Sequence, residues 1–146
     1  MFKKSLVFMV GLALVLSLVN VGIAQDMNPK VKEMLASART AIKTVSAEAV
    51  KAAIDSKEKA IVLDVRDGSE FSAGHLPGAI NISRGTLEFV VFGKIADQNA
   101  KIYVYCKTAG RSALATKTLN GLGFKNAVLM DAQYADWVKA GYPVER

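Results

Sequence analysis

The stretch Lys101-Ile102-Tyr103-Val104-Tyr105-Cys106-Lys107-Thr108-Ala109-Gly110-Arg111 decides the fold of this chain. From Ile102 to Tyr105 there is no alternation of apolar and polar residues, which is how a strand covered on both faces reads. A short polar loop follows, and Arg111 opens a helical pattern that runs to 122. Ala60-Ile61-Val62-Leu63-Asp64-Val65 is a second such strand, Ala127-Val128-Leu129-Met130 a third, and Ala79-Ile80-Asn81-Ile82 a shorter fourth. Helical patterns at 85–91, 111–122 and 133–140 separate them, with Gly123 placed as the C′ residue of the middle one. Strands alternating with helices predict an α/β domain with a parallel sheet.

Upstream, Asn28-Pro29 reads as a cap followed by proline at the first helical position. Val31, Met34, Leu35, Ala38 and Ile42 recur at helical spacing, so a helix over 29–41 is expected on the outside of the domain. Thr44-Val45 is a short extended stretch. Ser46 caps a helix over 47–55, with Glu48 in its first turn.

The first 24 residues have a different grammar. Lys3 and Lys4 precede a run from Leu6 to Val21 that is apolar except for Gly11, Ser17 and Asn20, and Gly22-Ile23-Ala24 offers small residues before a cut at Gln25. These are the three parts of a secretory signal peptide. The run is shorter than a spanning helix of about 20 residues wants, which disfavours an uncleaved inner-membrane anchor. The expected organisation is a signal at 1–24, a helical extension at 25–43 and one domain at 44–146. The protein is expected outside the cytoplasm, in the periplasm if the source is a Gram-negative bacterium, with no membrane association after cleavage.

Composition agrees with one domain: the chain has 146 residues and 51% of them are hydrophobic. Its formal charge of +6 includes the two leader lysines, so the remainder carries +4. No basic stripe interleaved with aromatics supports nucleic-acid binding. One cysteine cannot form an internal disulfide, and with one histidine it leaves no set of metal ligands. No cofactor or metal is expected.

The lone Cys106 is either an inert buried thiol or one kept for chemistry. Its position favours chemistry, because open α/β sheets place ligands at strand carboxyl ends. A loop entering a helix turns backbone N–H groups inward as an anion nest. Gly110 suits a turn with positive φ. Lys107 and Arg111 add two cations, a field that favours thiolate.

Three segments together resemble the rhodanese homology domain. Leu63-Asp64-Val65-Arg66, Glu70-Phe71 and Gly74-His75-Leu76-Pro77-Gly78-Ala79-Ile80-Asn81-Ile82 match its leading signatures in order. The cysteine loop matches its active-site segment. Gly121-Leu122-Gly123-Phe124, Ala127-Val128-Leu129, Trp137 and Gly141-Tyr142-Pro143-Val144 match its closing pattern. One departure stands out: Asp131-Ala132 occupies the place where the family often has Gly-Gly, at the rim of the site or a substrate entrance.

The resemblance implies a three-layer rhodanese-like fold, a parallel five-stranded sheet with helices on both sides. It also implies sulfur transfer through a Cys106 persulfide, from a small sulfur-containing anion such as thiosulfate to cyanide or a thiol. Lys107, Thr108, Ala109, Gly110 and Arg111 would bind substrate through their N–H groups and charges. Asp64, Arg66 and His75 read as structural neighbours of the site, the first two pairing and the third fixing its turn. Trp137 reads as a core anchor, and Tyr105 as packing under the loop.

Two other functions compete. A sulfur carrier or thiol-based sensor that docks on a partner, such as a sulfur-relay protein, needs the same loop. Cysteine phosphatases and arsenate reductases use a loop with one residue more between cysteine and arginine, so the tighter cup here ranks them lower.

Overall fold

The computed structural model describes residues 27–146. The expected signal at 1–24 therefore lies outside the described residues. Helix α1 spans Pro29–Thr40 and strand β1 spans Thr44–Val45; α2 (Ala47–Asp55), β2 (Ala60–Asp64), α3 (Gly68–Ala73) and β3 (Ile80–Asn81) follow. A 3₁₀ turn at Arg84–Thr86 leads into α4 (Leu87–Lys94), and β4 (Lys101–Tyr105), α5 (Gly110–Gly121), β5 (Ala127–Met130) and α6 (Tyr134–Lys139) complete the chain.

All five strands form one parallel sheet in the order β1-β5-β4-β2-β3. Strand alternation splits the side chains between two apolar layers. Ile102, Val104 and Cys106 join Leu63, Val65, Leu87, Val91, Ala115 and Leu119 on the side of α4 and α5. Tyr103 and Tyr105 join Val50, Val62, Met130 and Trp137 on the side of α2 and α6. This is the expected three-layer α/β fold, and β4 is its central strand.

The ends of the elements follow local chemistry. The Asn28 side chain accepts from the Lys30 N–H at 2.9 Å, and Ser46 accepts from the Ala49 N–H at 3.2 Å, as their cap positions predict. Helix α5 closes in a Schellman arrangement around Gly123 at φ +106°: Phe124 N–H donates to Leu119 O and Gly123 N–H to Asn120 O.

Three differences from expectation have physical causes. Helix α3 has no apolar period to announce it, because none of its residues is buried. The pattern over 85–91 begins as a 3₁₀ turn one residue earlier and continues to Lys94, which is exposed and carries no periodic signal. The last helix is shorter than 133–140 because Gln133 serves as its cap, its N–H donating to Asp136 Oδ2. Helix α1 lies on α5 with only Ala38 buried, and the Lys117 ammonium reaches Ser37 Oγ at 3.5 Å.

Leu63 is fully buried where β2 meets β3 and β4. Leu63→Ala is expected to lower stability by about 2–5 kcal/mol through lost burial and a residual cavity. Urea denaturation of the two proteins measures it.

Candidate active site

Strand β4 delivers Cys106 to the carboxyl end of the sheet, where its side chain is fully buried. The sulfur is not left bare. Ser112, in the first turn of α5, directs its backbone N–H at Sγ from 3.3 Å and its hydroxyl from 3.2 Å. The loop geometry that permits this is a single left-handed residue. Ala109 has φ 62° and ψ 0° immediately before the helix. The expectation that Gly110 would take the positive φ is therefore corrected: the reversal falls one residue earlier, and Gly110 is already the first helical residue.

A left-handed alanine is strained by about 1–2 kcal/mol. It is held there because its methyl is buried with Ala113 and Leu129 and its carbonyl accepts the Ala113 N–H at 3.1 Å. On the outer side of Gly110, the methyls of Leu35 from α1 lie 3.9 Å from where a Cβ would stand, an ordinary packing distance.

Among the described residues, the N–H groups of Lys107, Thr108, Ala109, Gly110 and Arg111 donate to no protein acceptor. The first turn of a helix and its approach leave such donors for a bound anion. Lys107 and Thr108 are exposed. The Lys107 carbonyl accepts the Tyr134 N–H at 3.1 Å, which fastens the loop to the start of α6.

The two loop cations are not equivalent. Arg111 forms a bidentate pair with Glu70, Nη1 to Oε2 at 2.7 Å and Nη2 to Oε1 at 3.0 Å, and lies 3.6 Å from Asp67. The Arg111 hydrogen bonds hold the Glu70 carboxyl at about 2, against partial burial, and Glu70 in turn raises the guanidinium above its ordinary value. The Lys107 ammonium makes no hydrogen bond or ion pair among the described residues. Both expected cations stand in the loop, and Arg111 is engaged by the carboxylates of Asp67, the cap of α3, and Glu70 within it.

The predicted structural neighbours come together beside the loop. Arg66 Nε and Nη2 bond both Asp64 carboxylate oxygens at 2.6–3.0 Å, and Nη2 also donates to Gly74 O at 2.7 Å. Burial opposes the Arg66 charge, but Asp64 outweighs it and lifts the guanidinium above its ordinary value. The Tyr134 ring covers the guanidinium at 4.0 Å. Tyr105 lies beneath, its hydroxyl accepting the Leu76 N–H, and burial pushes its phenol up. His75 pairs with Glu145 through two backbone bonds of 2.9 Å, its Nδ1 meets Phe71 O at 3.0 Å and its ring stacks on Phe71. These contacts tie His75 to α3 and to Glu145 near the carboxyl end. Arg66, Glu70, Ala73, Gly74, Lys107 and Tyr134 line a cleft of about 230 Å³ beside the loop.

Ser112, Asp67, Glu70 and Tyr134 were not legible as site residues. Ser112 had one signal, a hydroxyl residue in the first helical turn after the cysteine loop. Asp131 answers to a different partner: Arg39 of α1 donates to its carboxylate at 2.6 Å. Among the described residues, no three His, Cys, Asp or Glu side chains form a group that could hold a metal.

A buried cysteine at the end of the central parallel strand, capped by a tight loop into a helix, defines a cysteine-loop α/β protein. The family model for the rhodanese-like domain matches residues 46–140, and the chain belongs to that family. Over 98 residues it is 33% identical to YrkF of Bacillus subtilis, whose name describes a sulfur carrier; the match covers 67% of this chain but only 52% of that protein. It is 35% identical over 89 residues to the thiosulfate sulfurtransferase GlpE of Pseudomonas putida, covering 61% of this chain and 78% of GlpE. The solution structure of the polysulfide-sulfur transferase homodimer from Wolinella succinogenes superposes with a TM-score of 0.68 at 28% identity, covering 80% and 87% of the two chains. A Rhodopseudomonas palustris protein described as a possible tyrosine phosphatase gives 0.71 at 29% identity, covering 85% and 100%.

The Glu70 carboxyl at about 2 makes stability depend on pH. A carboxyl depressed in the folded state contributes its full stability above its unfolded value of about 4.3 and loses it as pH falls toward 2. Thermal melts of wild type and Glu70→Gln should therefore differ by a constant interval above pH 5 and converge between pH 4.5 and 2. An interval that stays constant down to pH 2 contradicts the pairing.

Proposed function

We propose that the chain is a sulfurtransferase that moves sulfane sulfur through a persulfide on Cys106. The observation that carries this reading is the buried Cys106 sulfur with two Ser112 donors aimed at it, inside a loop of uncommitted N–H groups. With thiosulfate as donor, the Cys106 thiolate attacks the outer sulfur, the S–S bond of the donor breaks, and sulfite leaves with the electron pair. The Cys106 persulfide then gives its outer sulfur to cyanide or a thiol, and the thiolate returns. Ser112 and the loop N–H groups hold the negative sulfur at each stage. No side chain needs to act as general base once the nucleophile is a thiolate.

The sulfur-carrier reading has support of its own in the relation to YrkF. It shares the persulfide and differs in turnover. The phosphatase reading draws on the neighbour from Rhodopseudomonas palustris. Four residues between Cys106 and Arg111 make a cup one residue shorter than phosphatase loops use for a tetrahedral centre, and Arg111 is engaged by Glu70. Export is part of the same proposal: Lys3-Lys4, the apolar run and Gly22-Ile23-Ala24 support a cleaved leader and work outside the cytoplasm.

Cys106→Ser is expected to remove thiosulfate:cyanide transfer completely while leaving the urea midpoint close to wild type, since the change is nearly isosteric. Intact mass after thiosulfate treatment should show a gain of one sulfur atom on wild type and none on the variant. Activity retained by the serine variant overturns the mechanism. Aryl phosphate hydrolysis without any sulfur gain overturns the class.

A further inference from the structure

The side of the sheet away from the sulfur has a concavity of its own. Side chains alternate along β4, so Cys106 joins the layer of α4 and α5 while Tyr103 joins the layer of α2 and α6. In that second layer a cavity of about 270 Å³ lies between the end of α2, strands β2 and β4, and the turn that leads to β3. Ile54 of α2, Val62 of β2 and Tyr103 of β4 give it apolar walls, and Gly78 stands at its rim. The chain leaves α2 through a tight left-handed turn at Lys57, φ 55°, which returns the Glu58 N–H to Ala53 O at 2.9 Å. That turn sets Glu58 as a wall of the same cavity.

The charge of this cavity is one-sided. Glu58 is its charged wall residue, and no cation lines it. The Tyr103 hydroxyl donates to Glu58 Oε2 at 3.0 Å. Burial and that carboxylate push the phenol up, so it keeps its proton for this bond. Glu58 Oε1 accepts from no protein donor among the described residues. A second carboxylate stands at the rim, where Glu145 Oε2 accepts the Gly78 N–H at 2.9 Å. Lys57 and Lys59 flank Glu58 in the chain and Lys101 lies over the Tyr103 ring, 5.4 Å from its centre, but none of the three is a wall residue. A guest with an apolar body and one positive charge satisfies both parts: its body loses water against the walls, and its N–H groups meet the open carboxylate oxygen. An anion would face two carboxylates. Ligand pockets begin near about 300 Å³, so the guest is small.

We propose that this cavity is a second binding site, which takes a small organic ammonium ion with its hydrocarbon body between α2 and β2 and its ammonium on Glu58. The site stands on the opposite face of the sheet from the Cys106 loop, and the proposal does not depend on the sulfurtransferase reading. Tyr103 is a positioning residue here: its hydroxyl holds one oxygen of Glu58 and leaves the other for the guest.

Titration of the ¹⁵N-labelled protein with benzylammonium tests this, with benzyl alcohol and benzoate as the neutral and anionic compounds of similar shape. Amide resonances of Ile54, Val62 and Gly78 should shift and saturate with benzylammonium, with a Kd of about 1 mM, within reach of so small a guest. Benzyl alcohol should bind about tenfold more weakly, and benzoate should leave these amides unmoved. Glu58→Gln should weaken benzylammonium about tenfold and leave benzyl alcohol unchanged. Ile54→Trp, which fills the cavity and keeps the carboxylate, should abolish both, and it carries the test if Glu58→Gln disturbs the fold. The amides of residues 107–111 should not move. Absence of saturation at the three amides by about 50 mM amine, far above that Kd, overturns the site, and so does saturation confined to residues 107–111. Benzyl alcohol bound as tightly as benzylammonium, or an unchanged affinity in Glu58→Gln, overturns the role given to Glu58. Binding retained in Ile54→Trp overturns the placement.

Discussion

The buried ion pair between Asp64 and Arg66 holds the rim of the site together. Arg66 is 3% exposed and Asp64 is fully buried, so neither charge could stay there without the other. The pair does more than neutralise itself. Its guanidinium reaches Gly74 O, at the end of α3, and lies under Tyr134 of α6. The Asp64 and Arg66 carbonyls both accept from Asn81 of β3. Two helices and an edge strand are thus referenced to one pair at the end of β2. Glu70, which faces Arg111, lies on the helix whose end this pair holds.

The cysteine sits in a different kind of frame. β4 is central, so the loop that follows it is flanked by α1, α5 and α6, while Lys107 and Thr108 face outward. That allows a strained residue, Ala109, to persist and aim the first turn of α5 at the sulfur. A buried thiol with two donors is a prepared nucleophile site, whereas an inert core cysteine would meet only apolar groups. The distinction lies in Ser112, two residues beyond the glycine that draws the eye in the sequence.

Much of this was readable in advance for physical reasons. The runs at 60–65, 101–105 and 127–130 could only be covered strands, and the chain order of strands and helices imposed a parallel sheet. Caps at Asn28 and Ser46 and the Gly123 terminus follow from local chemistry that needs no tertiary information. What could not be read depends on contacts distant in sequence. Glu70 meets Arg111 across 41 residues and Arg39 meets Asp131 across 92, and no periodicity encodes such pairings. The positive φ fell on Ala109 because burial with Leu129 overrides the intrinsic preference of glycine for that conformation. Helix α3 stayed hidden because none of its residues is fully buried.

The salt bridge from Arg39 to Asp131 gives a meaning to the residue pair that departs from the family pattern. A glycine at that position would offer an approaching helix nothing to grip. With an acid there, the end of β5 becomes a mooring for a segment that precedes the domain, and Leu35 is carried onto the outer face of Gly110. The acid at the end of β5 thus gives α1 a charged partner on the domain, beside its apolar contact with α5.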